Sequence, residues 1–306
     1  MARVWGGRRL ETLFGKSLPG ETPVGEIWEI ADRPEAQSVV TGGDFDGLTL
    51  HALWTTQRAE IFGPEYERHP AARFPLLIKW LDARERLSVQ VHPPAHVAPS
   101  LGGEPKTEVW YFADCLPGAR IYAGVKNGTT RESFELALEA GAVEASLHEI
   151  PVHTGDSIFI PSGRIHAIGE GCVIAEIQQN SDTTYRVFDW NRTGLDGKPR
   201  DLHIPESLAC SDFSDVEPQV DHIARGAIAD CSYFKVEKIS APRGGPLEFA
   251  RGGSFAIGCV LAGGIPFGGI RLGAGAFFLA PAGLPPAEAL PGTEALRVTL
   301  PVAGER

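Results

Sequence analysis

The chain has 306 residues, enough for two modest domains that each bury a core. Its formal net charge of −11 argues against nucleic acid or an anionic membrane as the main partner. The 36 glycines and 24 prolines fall between short apolar runs, a composition that favours a turn-rich, mainly β protein.

The cysteines and the N-terminus indicate a reducing compartment. The 5 cysteines are odd in number and none forms a Cys-x-x-Cys pair, so neither a disulfide framework nor a thiolate zinc site is expected. The first residues lack the apolar segment of a secretion signal, and no run long enough to span a membrane occurs. We predict a cytoplasmic protein, acting as a monomer or a homodimer, with no nucleic-acid or membrane partner.

The first third of the chain is predicted to form short strands. Residues 26–30 and 75–81 are aliphatic and aromatic runs. In residues 87–92 polar and apolar side chains alternate, so Gln90 and His92 lie on one face and can reach one point. Glu108 opens the strand that follows, and Lys106, two residues earlier, shares its face.

A helical insertion is predicted near residues 130–148. Thr129 and Glu132 have capping-box spacing, and apolar residues recur with helical spacing from Phe134. We interpret this insertion as a segment that only packs against the β domain.

A turn-rich frame presents the second histidine. Residues 155–166 read as a buried strand, a tight turn with Pro161 and Gly163, and then His166 at the start of the next strand. Residues 275–283 repeat the Gly-x5-Pro-x-Gly frame, but Pro286 stands where the first copy has His166. We predict a catalytic domain over residues 1–225 and a smaller β domain without metal ligands over 226–306.

Two histidines, a carboxylate and an amide oxygen are enough donors for one divalent metal. Imidazole nitrogen with carboxylate and amide oxygen suits zinc, iron, manganese or cobalt better than calcium or magnesium. We expect Gln90, His92, Glu108 and His166 to converge on such an ion. A metal with an open position can polarise a carbonyl or hydroxyl oxygen.

The frame around His166 resembles the second motif of the cupin superfamily. This resemblance implies two cupin-type β-barrel (jelly-roll) domains, the second without metal. The first cupin motif usually has the form His-x-His, followed shortly by Glu. Here Gln90 and His92 stand in its place, and a long interval precedes Glu108.

Over most of residues 1–205 the chain resembles the type I phosphomannose isomerases, in particular their short bacterial form. The matching blocks are residues 5–7, 25–30, 87–93, 106–111, 155–166 and 176–192. The resemblance implies zinc bound by Gln90, His92, Glu108 and His166, and an active-site role for Arg186. It also implies interconversion of mannose 6-phosphate and fructose 6-phosphate through a cis-enediol.

The residues suit that chemistry. Arg186 offers a planar, permanently charged fork for a phosphate or an enediolate, unless it is paired with Asp182 or Asp189. Burial beside a cation would lower the pKa of Lys106 and suit it to proton transfer, and a phosphate contact is the alternative. Lys79 and Asp182 are candidate substrate-binding residues, and Asp182 could orient Arg186 or transfer a proton.

Two other functions fit the donor set. An iron-dependent cupin oxygenase would contain iron and consume oxygen, and it would leave the Arg186 block without a purpose. A non-catalytic sugar-phosphate-binding cupin would bind ligand without turnover. An Arg186→Ala variant that kept ligand affinity and lost turnover would argue against that second alternative.

Overall fold

The computed structural model describes residues 1–301, which form a mainly β fold, as predicted. The chain divides into two compact units. The first comprises residues 1–8, 18–27 and 79–222, and the second comprises residues 9–17, 28–78 and the chain from Ile223. Within the described range, no helix combines the length and the apolar character needed to cross a membrane.

The strands between residues 2 and 222 are short. They are β1 (Ala2–Gly7), β2 (Glu26–Ile30), β3 (Asp32–Arg33), β4 (Ala36–Gln37), β5 (Leu76–Ala83), β6 (Val89–Val91), β7 (Glu108–Cys115), β8 (Arg120–Val125), β9 (Leu147–Pro151), β10 (Asp156–Ile160), β11 (His166–Ile168), β12 (Cys172–Gln179), β13 (Tyr185–Phe188) and β14 (Asp221–His222). The remaining strands are β15 (Gly226–Asp230), β16 (Lys235–Ala241), β17 (Gly245–Leu247), β18 (Ala256–Ala262), β19 (Gly264–Phe267), β20 (Ile270–Gly273), β21 (Phe277–Ala280), β22 (Ala287–Ala289) and β23 (Thr293–Thr299).

Helices are few and short. The α-helices are α1 (Arg9–Phe14), α2 (Leu50–Thr56), α3 (Arg131–Glu139) and α4 (Ile204–Cys210). A π-turn spans Arg58–Phe62, and 3-10 turns span Pro64–Tyr66, Ala98–Leu101 and Val143–Ser146.

The first unit is built from two antiparallel sheets. One has the strand order β1-β5-β12-β7-β10-β14, with β2 beside β5, and the other has the order β13-β6-β11-β8-β9. Trp110 and Phe112 from the first sheet join Ile121 and Ile168 from the second in one buried cluster. The two sheets therefore face each other across a shared core, the arrangement expected of a jelly-roll unit.

The predicted helical insertion is present in the first unit. Helix α3 lies where expected, but its capping box is formed by Thr130 and Ser133, one residue later than predicted from Thr129 and Glu132. The side chain of Phe134 is fully buried and belongs to a second cluster that includes Val89 and Val91. The insertion thus covers the face of the five-stranded sheet opposite to the core between the sheets.

The second unit has its own core. A five-stranded sheet with the order β15-β16-β23-β18-β21 is accompanied by three two-stranded sheets, β17-β22, β19-β20 and β3-β4. The unit also takes in residues 9–17 and 28–78, which the sequence analysis assigned to the first domain, and its last segment begins at Ile223. Residues 28–78 belong to this unit because of an aromatic cluster. The ring centres of Phe62 and Phe74 lie 5.0 and 5.8 Å from that of Phe255.

The two Gly-x5-Pro-x-Gly frames have the same backbone form. Gly155 and Gly163 in the first copy, and Gly275 and Gly283 in the second, all have positive φ angles. Each pair of glycines brackets a strand, β10 in the first copy and β21 in the second. Because residues other than glycine rarely adopt these angles, the shared glycines give both copies the same turn before the position of His166 or Pro286.

Candidate active site

Three of the predicted metal donors converge at full burial. His92 Nε2 lies 3.5 Å from Glu108 Oε2, and His166 Nε2 lies 3.7 Å from Glu108 Oε1. One ligand atom from each of the three residues lies within 4.8 Å of the others. Atoms bound to a single zinc ion lie about 3–4 Å apart, so this cluster has nearly the right size.

Strand pairing brings these residues together from both sheets. His92 directly follows β6, His166 begins β11, and Glu108 begins β7 of the facing sheet. In the five-stranded sheet Arg186 is paired with Gln90, and Gln90 with His166. A single row of cross-strand neighbours therefore carries Arg186, Gln90 and His166 over three strands.

Both imidazoles are oriented by the backbone. His92 Nδ1 lies 3.0 Å from the Thr183 carbonyl oxygen, and His166 Nδ1 lies 2.9 Å from that of Arg164. These hydrogen bonds place the proton on Nδ1 and leave the Nε2 lone pair facing the cluster, as metal-ligating histidines require. Burial lowers the pKa of both side chains, that of His166 to about 3, so both are neutral.

The cluster has donor atoms that the described residues do not satisfy. His92 Nε2 and Glu108 Oε1 are buried and have no hydrogen-bond partner among residues 1–301. An unpaired buried polar atom costs about 1–3 kcal/mol, and more when it is charged. A divalent transition metal would satisfy both atoms, so the donor set fits such an ion.

Gln90 lies against this cluster. Its Nε2 atom is 3.2 Å from His166 Nε2, and its Oε1 atom accepts a hydrogen bond from Ser88 at 3.4 Å. The two ends of a glutamine amide have nearly the same shape, so a half-turn of the group exchanges the atom that faces His166. The side chain is thus close enough to supply the amide oxygen that the sequence analysis expected.

Lys106 lies between two buried carboxylates. Its Nζ atom lies 2.8 Å from Glu108 Oε2 and 3.6 Å from Glu176 Oε1. Burial acts to lower the pKa of Lys106, but the two carboxylates outweigh it and raise that pKa above its ordinary value. The lowered pKa expected for Lys106 beside a bound metal stays a prediction, because this raised pKa belongs to the metal-free protein, in which two buried carboxylates face the ammonium group.

Glu176 was missed as a site residue by the sequence analysis. It is buried, its Oε2 atom accepts a hydrogen bond from Trp110 Nε1 at 3.1 Å, and its Oε1 atom lies 3.4 Å from Lys79 Nζ. Burial and then the nearby Glu108 raise its pKa, against the effect of the two lysines. A lone acidic residue within the apolar run of β12 is the signal that could have revealed it.

These groups adjoin a cavity of about 530 Å³ in the first unit. Gln90 and Lys106 line the cavity, while His92, Glu108 and His166 are buried and lie outside its lining. Its charged lining consists of Arg3, Glu26, Lys79, Lys106, Glu176, Asp182, Arg186, Asp196 and Arg200. A polar cavity of this size suits a small charged metabolite.

Arg186 faces the cavity, and no carboxylate of the described residues pairs with it. Its Nη1 atom donates to the Asp201 carbonyl oxygen at 2.6 Å, and its Nε atom is buried and unpaired among the described residues. The alternative of an ion pair with Asp182 or Asp189 is not what the structure has. Asp182 lines the same cavity, but the group that positions Arg186 is a backbone carbonyl.

Comparison with known proteins identifies the family. A model of the phosphomannose isomerase type I catalytic domain matches residues 1–113. The mannose-6-phosphate isomerase ManA of Bacillus subtilis is 39% identical over 248 residues, which are 77% of this chain and 75% of that protein. The chain belongs to the type I mannose-6-phosphate isomerase family.

Further relatives place the whole chain within this isomerase family. The mannose-6-phosphate isomerase of Streptococcus mutans is 43% identical over 207 residues, 67% of this chain and 63% of that one. A crystal structure of the Bacillus subtilis mannose 6-phosphate isomerase superposes with a TM-score of 0.84 and 30% identity, covering 98% of this chain and 97% of that one. The structural likeness therefore includes His166 and Arg186, which lie beyond the part that the family model matches.

Proposed function

We propose that this chain interconverts mannose 6-phosphate and fructose 6-phosphate at a divalent metal held by Gln90, His92, Glu108 and His166. The observation that carries the proposal is the convergence of His92, Glu108 and His166, with two unsatisfied donor atoms, beside a cavity that Arg186 lines. Family membership supports the substrate and the reaction.

Aldose–ketose isomerisation moves a proton between neighbouring carbons, which sets three requirements for the site. A base must take the proton, a positive charge must stabilise the oxygen of the cis-enediol, and a further group must hold the phosphate. A divalent metal bound by the four residues would supply Lewis-acid stabilisation of developing negative charge on a substrate oxygen.

Glu176 is the group that we assign to proton transfer. Its carboxyl lines the cavity, and the raised pKa makes it a stronger base than an ordinary glutamate. Lys106 is held in the charged state by Glu108 and Glu176, which suits it to donate a hydrogen bond to a substrate oxygen. Lys79, which contacts the same carboxylate, would act in the same way from the other side.

Arg186 is the group that we assign to the phosphate. A guanidinium at the wall of the cavity, without a carboxylate partner among residues 1–301, keeps its full charge available for an anion. Arg186 lies in the same cross-strand row as Gln90 and His166, which supports a phosphate position two strands away from the His166 metal ligand. Asp182, which lines the same cavity, is assigned to the sugar hydroxyls.

Metal removal and a ligand variant test the assignment. We expect the purified protein to convert mannose 6-phosphate in a coupled assay, to lose that activity after chelation, and to regain it with added zinc. A His166→Asn variant should lower activity and metal content by more than about 100-fold, because a ligand is lost. The exposed His153 gives the matched control, His153→Asn, which should leave both unchanged.

Two results would contradict these assignments separately. Full activity in protein that elemental analysis shows to be free of metal would exclude the metal role. Metal-loaded protein that turns over no 6-phosphosugar would exclude the isomerase. Zinc as the native ion, the cytoplasmic location and the monomeric or homodimeric state stay predictions. Metal analysis of purified protein tests the ion, and light scattering tests the oligomeric state.

A further inference from the structure

A buried aspartate holds two arginines at the edge of the cavity. Asp189 is 5% exposed, and its Oδ1 atom accepts a hydrogen bond from Arg192 Nε at 3.0 Å. Its Oδ2 atom accepts from Arg200 Nε at 2.7 Å, and Arg200 Nη2 donates to Oδ1. The pair formed with Arg200 is therefore a two-point fork, the geometry that fixes the plane of a guanidinium.

The two arginines have different surroundings. Arg192 donates to the Arg86 carbonyl oxygen and is not part of the cavity wall. Arg200 lines the cavity, as Arg186 does. Asp189 occupies only the Nε and Nη2 side of the Arg200 guanidinium, and the Nη1 end has no other partner among residues 1–301. Arg200 thus keeps donors for an anion while its orientation is fixed from behind.

The backbone after Asp189 is unusual. Trp190 and Asn191 have φ angles of 58° and 56°, in the left-handed region that tryptophan rarely adopts. Trp190 Nε1 donates to the Leu87 carbonyl oxygen, and the Arg86 guanidinium lies 3.8 Å from its ring centre. Contacts of this kind hold a costly conformation in place, and such conformations are concentrated at functional sites.

This segment forms one wall of the cavity. We call residues 189–200 the arginine loop. Its end is a tight hairpin in which Gly194 N donates to the Lys198 carbonyl oxygen at 2.7 Å. Gly194, Leu195 and Asp196 line the cavity together with Arg200. The loop is therefore fixed at both ends, by Trp190 at its start and by the Asp189–Arg200 fork at its close.

Two positively charged side chains, Arg186 and Arg200, line this wall. After burial, Arg200 is the next cause that lowers the pKa of Arg186, so the two guanidinium groups repel each other. Asp189 is the carboxylate that interacts with both of them, directly with Arg200 and electrostatically with Arg186. Two guanidinium groups that line one cavity wall, one held by a buried carboxylate and the other by a backbone carbonyl, form a site for a doubly charged anion.

We propose that Arg200 binds the substrate phosphate beside Arg186, and that Asp189 is a positioning residue that holds Arg200 for this purpose. The inference rests on the proposed isomerase function and adds a second phosphate contact and its support. Asp189 itself touches no reacting atom.

Variants of the pair test this inference with inorganic phosphate as the probe. We expect Asp189→Asn and Arg200→Met each to raise KM for mannose 6-phosphate, and the inhibition constant of inorganic phosphate, by about 10-fold, with kcat changed by less than threefold. Because Asp189 acts through Arg200, the double variant should bind phosphate no more weakly than Arg200→Met alone. Arg200→Lys should recover part of the loss, since it keeps charge without the fork.

Glu237 supplies the matched control for loss of a carboxylate. It also bridges two arginines, with its Oε2 atom 2.6 Å from Arg297 Nη1 and 3.4 Å from Arg251 Nη1, but it lies in the second unit. Glu237→Gln should leave both phosphate constants unchanged. If Asp189→Asn does not fold, Arg200→Met still tests the phosphate contact, because Arg200 is partly exposed.

The outcomes separate this inference from the proposed function. Phosphate constants within twofold of wild type in Arg200→Met would overturn the inference and leave the isomerase intact. Additive losses in the double variant would overturn the positioning role of Asp189. A wild-type protein that binds phosphate but does not isomerise would overturn the proposed function alone, provided that the variants still weaken phosphate binding.

Discussion

At the scale of single residues, the cavity separates charges that are already paired from charges that are left available. Glu176 lies between Lys79 and Lys106, and the Asp189 carboxylate is taken by two arginines. Within residues 1–301, the Arg186 guanidinium hydrogen-bonds only to a backbone carbonyl. An incoming phosphate would therefore meet a guanidinium from which no carboxylate has to be displaced, which lowers the cost of binding.

Glu176→Gln tests the base. The change keeps the size of the side chain and an acceptor for Trp110 Nε1 but removes the ability to take a proton. We expect kcat to fall by about 10²–10⁴-fold, with KM changed little, because general-base catalysis is lost and phosphate binding is not. Steady-state kinetics on metal-loaded protein measure both constants.

The exposed Glu149, which pairs with Arg120 on the surface, gives the control Glu149→Gln with no expected effect. A Glu176→Gln variant that retains more than a tenth of the wild-type kcat would show that another group takes the proton.

Residues of the site differed in how well the sequence predicted them. The spacing of Gln90 and His92, and the turn before His166, predicted the donors, because strand alternation and glycine turns are local rules. Glu176 and the Asp189–Arg200 fork went unpredicted, since their roles depend on which strands and loops meet in space. The two carboxylates beside Lys106 went unpredicted for the same reason.

At the scale of elements, the five-stranded sheet carries the site on one face and packing on the other. Gln90 faces the cavity, whereas its neighbours Val89 and Val91 join the cluster under helix α3. The side chains that alternate along β6 thus face the cavity on one side of the sheet and pack into the apolar cluster on the other. The helical insertion packs on the side of the apolar cluster, and that it serves packing alone stays a prediction.

Phe134→Leu tests this division. Phe134 is fully buried and packs edge-on against Phe213, with ring centres 5.4 Å apart. Loss of the ring should reduce the free energy of unfolding by about 1–2 kcal/mol, because the smaller side chain leaves a partly filled space. Urea unfolding measures the loss, and kcat/KM for the sugar phosphate should stay within twofold of wild type.

The solvent-facing Leu136 of the same helix is the control, since Leu136→Ala removes apolar volume that is already 61% exposed. A large fall in kcat/KM for Phe134→Leu would show that the insertion also positions the site.

At the scale of the whole molecule, the two units have separate cores, and the chain crosses between them several times. Composition predicted the β class, and the repeated frame predicted a second unit near residue 226. The assignment of residues 28–78 was beyond sequence rules, because it depends on aromatic contacts between segments almost 200 residues apart in the chain.

Asp32 gives the second unit a pH-dependent contribution to stability. The buried carboxylate accepts hydrogen bonds from Phe74 N at 2.8 Å, Arg73 Nη1 at 2.9 Å and Gln37 Nε2 at 2.8 Å. Burial acts to raise its pKa, but these bonds outweigh it, so the pKa of Asp32 lies below its ordinary value.

Because the folded-state pKa is lowered, the contribution is fully present above the unfolded-state value of about 3.9 and is lost as pH falls through the folded value. We expect Asp32→Asn to destabilise the protein by about 2–4 kcal/mol at pH 7, with a smaller difference near pH 3. Urea unfolding at both pH values measures this. A difference that does not shrink on acidification would contradict the assignment.

The row formed by Arg186, Gln90 and His166 has a consequence for substrate length. Neighbouring strands lie about 4.8 Å apart, so the backbone positions of Arg186 and His166 are separated by two such steps, or about 10 Å. Backbone hydrogen bonds set this separation, and side-chain rotation adjusts it only within limits. Under the proposed function, the strand spacing selects the length of the substrate. The distance from a sugar's reacting carbons to its phosphate must match this spacing, which no single side-chain substitution can change.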